Sequence, residues 1–378
     1  MIYRILFFLL LVGTLHADST RLAPEAEPLA LVHGCVSLIK GEFIQRRTDL
    51  LIEGPSPLSL TRICDSGSAQ AKSPLGLGFT WAVAKDLWRP GYTWDVCALE
   101  EREGIELYYR NVGTEASPRF EVGPGAFKVG YTSYSRGEIS GVNNLHNVVL
   151  TPRGGELKRY WNASRGAQSW LTGGEWVVTL GCGAQRIYSW KAQPERHWWQ
   201  LSKEIRLDGN KVLYEYDQNN LLTKAILTDH SESIWISAYT LQYQKDEITA
   251  VGTNGQQVHF GKGALRFKVP GQTGQYYERL LQVAGDHLIP CQYGYYKSSA
   301  KGAHAGKLEW ISQPDDRSLK IYYDQSGRVC GLDGPVGHDS TLCSFATFAY
   351  YGKTREWRGP RRLTGNLGRL ICVLNLII

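Results

Sequence analysis

Chemistry in this chain would need acids, nucleophiles or metal ligands gathered in one pocket. Two acidic groups stand out: Glu100, Glu101 and Glu103 crowd one stretch, and Asp315-Asp316 follows Pro314. Glycoside hydrolysis needs two carboxylates facing each other across a bond. Neighbours along a strand point to opposite faces, so the glutamates read as a solvated turn and the aspartates as the turn after a proline. A serine hydrolase of the elbow type would carry G-x-S-x-G, which does not occur. His33, His146, His197, His230, His259, His287, His304 and His338 are scattered, with no H-E-x-x-H spacing for a metal. Gly302-Ala-His-Ala-Gly-Lys307 has the wrong spacing for a phosphate loop, and no Ser or Thr follows the lysine. The expectation is no catalytic residue, no metal and no cofactor.

Aromatic side chains offer the other chemistry. His197-Trp198-Trp199, with Trp161, Trp176 and Trp190, could give flat faces for stacking on a saccharide. Trp198 and Trp199 are the carbohydrate-binding candidates. The competing use of the same rings is to fill a β core and pair across strands. Twelve Trp and twenty-one Tyr interleaved with strand-forming residues favour that use.

Those residues would sit on strands. Leu58, Leu60 and Arg62 alternate with Ser59 and Thr61, the period of a half-buried strand. Gly54-Pro55-Ser56-Pro57 punctuates the strands before it. Strand-like pieces follow at 79–82, 92–98, 105–109, 120–122, 148–151, 157–161, 176–180 and 186–190. The glycine-rich stretch 123–146 reads as the least regular part. No long window shows helical amphipathicity.

From 201 onward one unit recurs. Residues 210–229 read NKVLYEYDQNNLLTKAILTD, and 319–337 read LKIYYDQSGRVCGLDGPVG. Tyr214 and Tyr216 precede Asp217; Tyr322 and Tyr323 precede Asp324, with Gly327 in the turn. Aromatic residues supply the strand, and Asp beside Gln, Asn, Ser or Gly supplies the return. Tyr239–Tyr243, Val258-His-Phe and Tyr293-Gly-Tyr-Tyr are degraded echoes. Asp333 to Gly337 reads as one more repeat turn.

The two copies resemble the Tyr-Asp repeats of the Rhs family. Upstream, GCVSLIKGEFIQRRTDLLIEGPSPLSLTR at 34–62, then CDSG, then GLGFTW at 76–81, resembles the region ahead of those repeats in bacterial Rhs and wall-associated proteins. Residues Trp176 to Tyr188 resemble the lead-in strand pair. Together the pieces cover roughly residues 30–340. The resemblance implies an all-β fold: a coiled or spiralling antiparallel sheet of hairpin-like repeats. In the family such a sheet closes around a C-terminal passenger, which carries the toxin chemistry. This chain is shorter, so the expectation is an open arc or partial shell. Its implied partners are further Rhs repeats or an enclosed passenger polypeptide, with a cell-surface ligand unspecified.

Charge and compartment complete the reading. The formal net charge is +6, but Lys353, Arg355, Arg358, Arg361, Arg362 and Arg369 oppose Glu356 alone after residue 350, and Arg4 lies in the leader. Residues 18–350 are therefore balanced and carry no footprint for nucleic acid. MIYRILFFLLLVGTLHA reads as a secretory signal peptide, 1–17, with no later stretch long enough for an integral span. Eight cysteines at wide, irregular spacing, without C-x-x-C, argue against structural zinc and leave pairing open. The expected organisation is an N-terminal β region over 18–200, a Tyr-Asp repeat region over 201–350, and a basic, apolar tail over 351–378. The tail reads as a truncated or frameshifted remnant. The functional expectation is an exported or surface scaffold with no catalytic site, the front part of a longer shell. Its rivals are a secreted carbohydrate-binding or carbohydrate-active protein and a nonfunctional gene fragment.

Overall fold

The computed structural model describes residues 31–32, 35–37, 41–66, 73–83, 86–88, 98–101, 105–111, 119–129, 132–134, 149–162, 166–193, 196–267, 275–297, 304–314, 318–336, 339–350 and 370–373. Strands and turns account for the described residues, none of which is helical. The expected signal peptide and most of the tail lie outside them.

The main body is a large antiparallel sheet whose 15-strand meander does not close end to end, although its first three strands also belong to a closed ring of pairings with earlier strands. It runs as a meander from Glu175–Thr179 through Gln185–Gln193, Arg196–Ile205, Lys211–Tyr216, Leu222–Thr228, Trp235–Tyr243 and Glu247–Gly252. It continues through Gln257–Phe267, Gln275–Gly285, Leu288–Tyr295, Leu308–Ser312, Ser318–Tyr323, Val329–Val336 and Asp339–Tyr350 to Leu370–Val373. Each strand pairs with the next. Short loops make this order the natural one, because antiparallel neighbours need only a tight turn. A strip of strands, Asp86–Trp88, Ala98–Glu101, Ile105–Asn111 and Phe120–Val129, lies beside its start. Asp86–Trp88 pairs with Trp198–Gln200, and Phe120–Glu121 with Val149–Leu150.

A separate three-stranded sheet, the lead sheet, contains Ile44–Ile52, Leu58–Asp65 and Phe79–Trp81. It packs on one face of the meander. Leu50, Leu60, Phe79 and Trp81 share a single buried cluster with Trp176, Tyr239, Phe260 and Tyr323. Along the meander the pattern alternates, as in Glu247–Gly252, where Ile248, Ala250 and Gly252 are buried and their neighbours are not. One face is therefore covered and the other meets solvent.

Four readings of the sequence change. The strand Leu58–Asp65 is not half-buried: Thr61 and Ile63 are buried as well as Leu60 and Arg62, because the strand lies inside the lead sheet. The stretch from 123 is strand as far as Val129, and its Gly-Pro-Gly sits where the ladder register shifts between Leu107 and Tyr109. Glycine and proline inside a strand mark such bulges. Residues 333–336 are not a turn but the end of the strand Val329–Val336, with register shifts at Leu332/Asp333 and Pro335/Val336. Glu100 and Glu101 are paired strand residues, opposite Glu106 and Ile105. In the tail, Leu370–Val373 adds the last strand, against Asp339–Tyr350.

Candidate functional site

The repeat tyrosines share one geometry. Tyr216 Oη donates to the Leu201 carbonyl at 2.7 Å, Tyr243 to Leu222 at 2.7 Å, Tyr295 to Leu280 at 2.6 Å and Tyr323 to Leu308 at 2.9 Å. In each case the acceptor is a buried leucine on the preceding strand. Extending each ladder, the bonded carbonyl belongs to the residue one beyond the position opposite the tyrosine. Two of the four, Tyr243 and Tyr295, belong to segments read as degraded echoes. They keep the clamp although they have lost the aspartate.

The aspartates build turns. Asp217 N–H donates to the Leu221 carbonyl at 2.9 Å and Asn220 N–H returns to the Asp217 carbonyl at 3.0 Å. Asp324 repeats this with Arg328 at 2.7 Å and Gly327 at 2.9 Å. In both, the carboxylate accepts two further backbone N–H groups: Asn219 and Leu221 on Asp217, Ser326 and Arg328 on Asp324. The third loop residue must be left-handed, which glycine meets at φ 77° in Gly327 and asparagine tolerates at φ 61° in Asn220. Tyr214 and Tyr323 are buried. Tyr322 points to the other face, where its hydroxyl donates to Asp333 Oδ2 at 2.6 Å. The Asp333 carboxylate and then burial push this phenol up to about 12.

Between lead sheet and meander lie ionisable groups that tie strands within the lead sheet and bond the two layers to each other. Arg62 is buried, forking onto Asp49 with Nε at 2.7 Å from Oδ2 and Nη2 at 3.0 Å from Oδ1. Its guanidinium lies over the rings of Phe79 and Tyr293. Burial pulls its pKa down, yet the Asp49 charge and hydrogen bond outweigh it and hold the cation. Burial pushes Tyr293 up to about 12. Arg47 bonds the Ile289 carbonyl at 2.9 Å and reaches the Cys291 sulfur. Arg206 of the meander bonds Ser56 Oγ and the Pro57 carbonyl, each at 2.8 Å. Leu77 N–H donates to Glu278 O at 3.1 Å, and Val329 N–H to Gly41 O at 2.6 Å. Phe79 meets Tyr293, and Trp81 meets Phe260, edge to face at 5.2 and 5.0 Å. Arg279 lies against Phe267 and Tyr295, its pKa lowered by burial.

A thiol nucleophile needs a lowered pKa. Burial instead raises Cys64 strongly and takes Cys35 up to about 11. Lys307, from the segment compared with a phosphate loop, donates to the Gly327 carbonyl at 2.7 Å and lies over the Tyr323 ring. Burial lowers its pKa. Among the described residues no three His, Cys, Asp or Glu side chains gather as metal ligands.

The saccharide candidates divide. Trp199 is fully buried, with its ring edge-on to Trp176 at 6.2 Å and Trp190 at 5.1 Å, so it has no face to offer a sugar. It fills the core because its strand is covered by neighbours on that face. The backbone of Trp198 pairs with Lys191 and Trp88; its side chain lies outside the described residues. Asp315-Asp316 and Glu103 also lie outside them. Sequence reasoning missed Trp235, which is 64% exposed with Lys224 Nζ 4.4 Å from its ring. It missed the Asp49–Arg62 pair too, although opposite charges inside TDLLI and LTRIC, each flanked by apolar residues, were the available signal.

Residues 34–104 match a family described as a domain of unknown function, DUF6531, a span that contains the whole lead sheet. No curated protein matches the chain. Among solved structures, the TcdB2-TccC3-Cdc42 complex aligns at 13% identity and TM-score 0.34, over 83% of this chain and 16% of the other. The Photorhabdus luminescens Tc holotoxin pore carrying TccC3-D651A aligns at 13% and 0.35, over 82% and 16%. The N-terminal domain of the effector SpvB from Salmonella typhimurium aligns at 13% and 0.29, over 73% of this chain and 100% of that one. The chain thus spans about one sixth of the first two.

Proposed function

We propose that the chain is an exported β-repeat scaffold with no catalytic site of its own, the front part of a shell that presents or encloses another polypeptide. One observation carries this reading. The same tyrosine clamp recurs four times along the meander. A repeat unit of this kind buries its face only against neighbours, so stability accrues by stacking rather than around a pocket. The covered face is already filled by the chain's own lead sheet between Arg206 and Val329. A passenger would therefore meet the outer face or strands beyond the lead sheet's reach.

The test is purified chain beginning at Asp18, assayed for nuclease, protease and glycosidase turnover. The expected result is none above background. Turnover abolished by Glu101→Gln or Asp316→Asn would overturn the reading. Saccharide binding lost in Trp198→Ala or Trp235→Ala, with strand signal intact by circular dichroism, would replace it with the carbohydrate-binding alternative. Recovery of soluble cytoplasmic protein that retains residues 1–17 would remove export from the proposal.

A further inference from the structure

One hairpin leaves the meander through a four-glycine crossing. The strand Val149–Arg153 pairs with Glu175–Thr179, ending at Arg153 opposite Glu175. The ladder resumes at Glu156 opposite Thr172 and continues to Asn162 opposite Gly166. The register is unbroken, so Gly154 faces Gly174 and Gly155 faces Gly173. No rung joins the two strands at these four residues, although the Gly174 carbonyl still accepts the Trp190 N–H at 3.4 Å, and all are left-handed, with φ of 68°, 69°, 68° and 66°. A left-handed pair on each strand breaks the extended ladder at one level, with a backbone that L side chains resist. The two strands also touch there: a Cβ on Gly174 would come within 2.6 Å of the Gly154 carbonyl carbon and oxygen. Beyond the crossing, Glu156–Asn162 and Gly166–Thr172 form a sheet of their own with no third strand among the described residues.

We propose that the crossing is a joint, and that the strands Glu156–Asn162 and Gly166–Thr172 are an articulated arm that re-aims relative to the scaffold. A two-stranded ribbon is marginal alone in water, glycine has the greatest backbone freedom, and no rung spans the joint. The arm reaches about 23 Å for seven residues of strand. This gives the scaffold a moving part that repetition alone does not supply.

The test is hydrogen exchange by mass spectrometry on the full chain. Amides of residues 157–162 and 166–171 should exchange at least about tenfold faster than those of Trp176–Val178. Equal protection would overturn the proposal, because the arm would then be a rigid extension of the sheet. Gly173→Asn separates a joint from a fraying hairpin. Position 173 has open space where a Cβ would stand, and asparagine accepts the left-handed backbone with less freedom. It should slow arm exchange about two- to fivefold; an unchanged rate would sink the joint. Joining Gly155 directly to Gly173 deletes the arm, and the Tm should move by less than about 3 °C. A fall beyond about 10 °C would show that the arm packs into the body and would overturn the proposal.

Discussion

The lead sheet and the repeats are held by opposite means. The lead sheet depends on a few contacts, each of its own kind: the buried Asp49–Arg62 fork between two of its strands, and the Arg206 and Arg47 bonds and two edge-to-face aromatic pairs to the meander. The repeats depend on contacts of one recurring design, a tyrosine clamp to the preceding strand and a turn closed within five residues. The difference teaches where damage spreads. A unique buried charge has no substitute, whereas a lost clamp leaves others in place.

The largest effect should follow removal of Asp49. Asp49→Ala leaves the Arg62 guanidinium buried without its carboxylate and should cost about 3–5 kcal/mol in urea unfolding. Replacing both partners, Asp49→Leu with Arg62→Met, should cost clearly less, since the penalty belongs to the orphaned charge. Equal losses in the single and double variants would break the contrast between the two regions.

A clamp should weigh less. Tyr323→Phe keeps the ring and strands the Leu308 carbonyl, for a loss of about 1–3 kcal/mol. Tyr322→Phe, on the solvent face, should stay within about 0.5 kcal/mol. A reversal of that order would place the wrong tyrosine of the pair in the core. Turn chemistry comes next: Gly327→Ala should cost about 1–2 kcal/mol for its left-handed backbone, while Asn220→Gly should be within a few tenths. Thermal melts of the two would separate backbone strain from loss of contacts.

The smallest effect is electrostatic and exposed. The Ser231 hydroxyl and then the Ile234 N–H hold Asp229 down to about 2. A carboxylate depressed on folding adds stability above its unfolded value near 4. That contribution falls away as the pH drops from about 4 to about 2. The pH profile of Asp229→Asn should therefore converge on that of the parent across this window, and a constant offset would remove the assignment.

The fold class was legible because apolar alternation, aromatic strands and Gly/Asx turns all spoke for strands. Turn positions around Asp217 and Asp324 were legible for the same reason. The choice between Tyr322 and Tyr323 was not, because adjacent tyrosines carry no local mark of which face is covered. Burial of the second face of Leu58–Asp65 depends on a sheet packed from more than a hundred residues away, and burial of Trp199 on rings one and two strands earlier, which no short window reports. Bulges hid the strands through Gly123 and Gly334, since glycine and proline punctuate a bulge and a turn alike.

The tyrosine clamp makes the sheet count. A hydroxyl that must find the carbonyl one place past its opposite number cannot tolerate a shift of one residue, because the ring would then leave the covered face altogether. The natural unit of length in such a sheet is therefore the hairpin. A whole hairpin with its clamp and turn can be added or removed much as one adds or removes links, whereas a single extra residue in a clamped strand has to be taken up by a bulge, as at Glu215/Tyr216 and Tyr322/Tyr323.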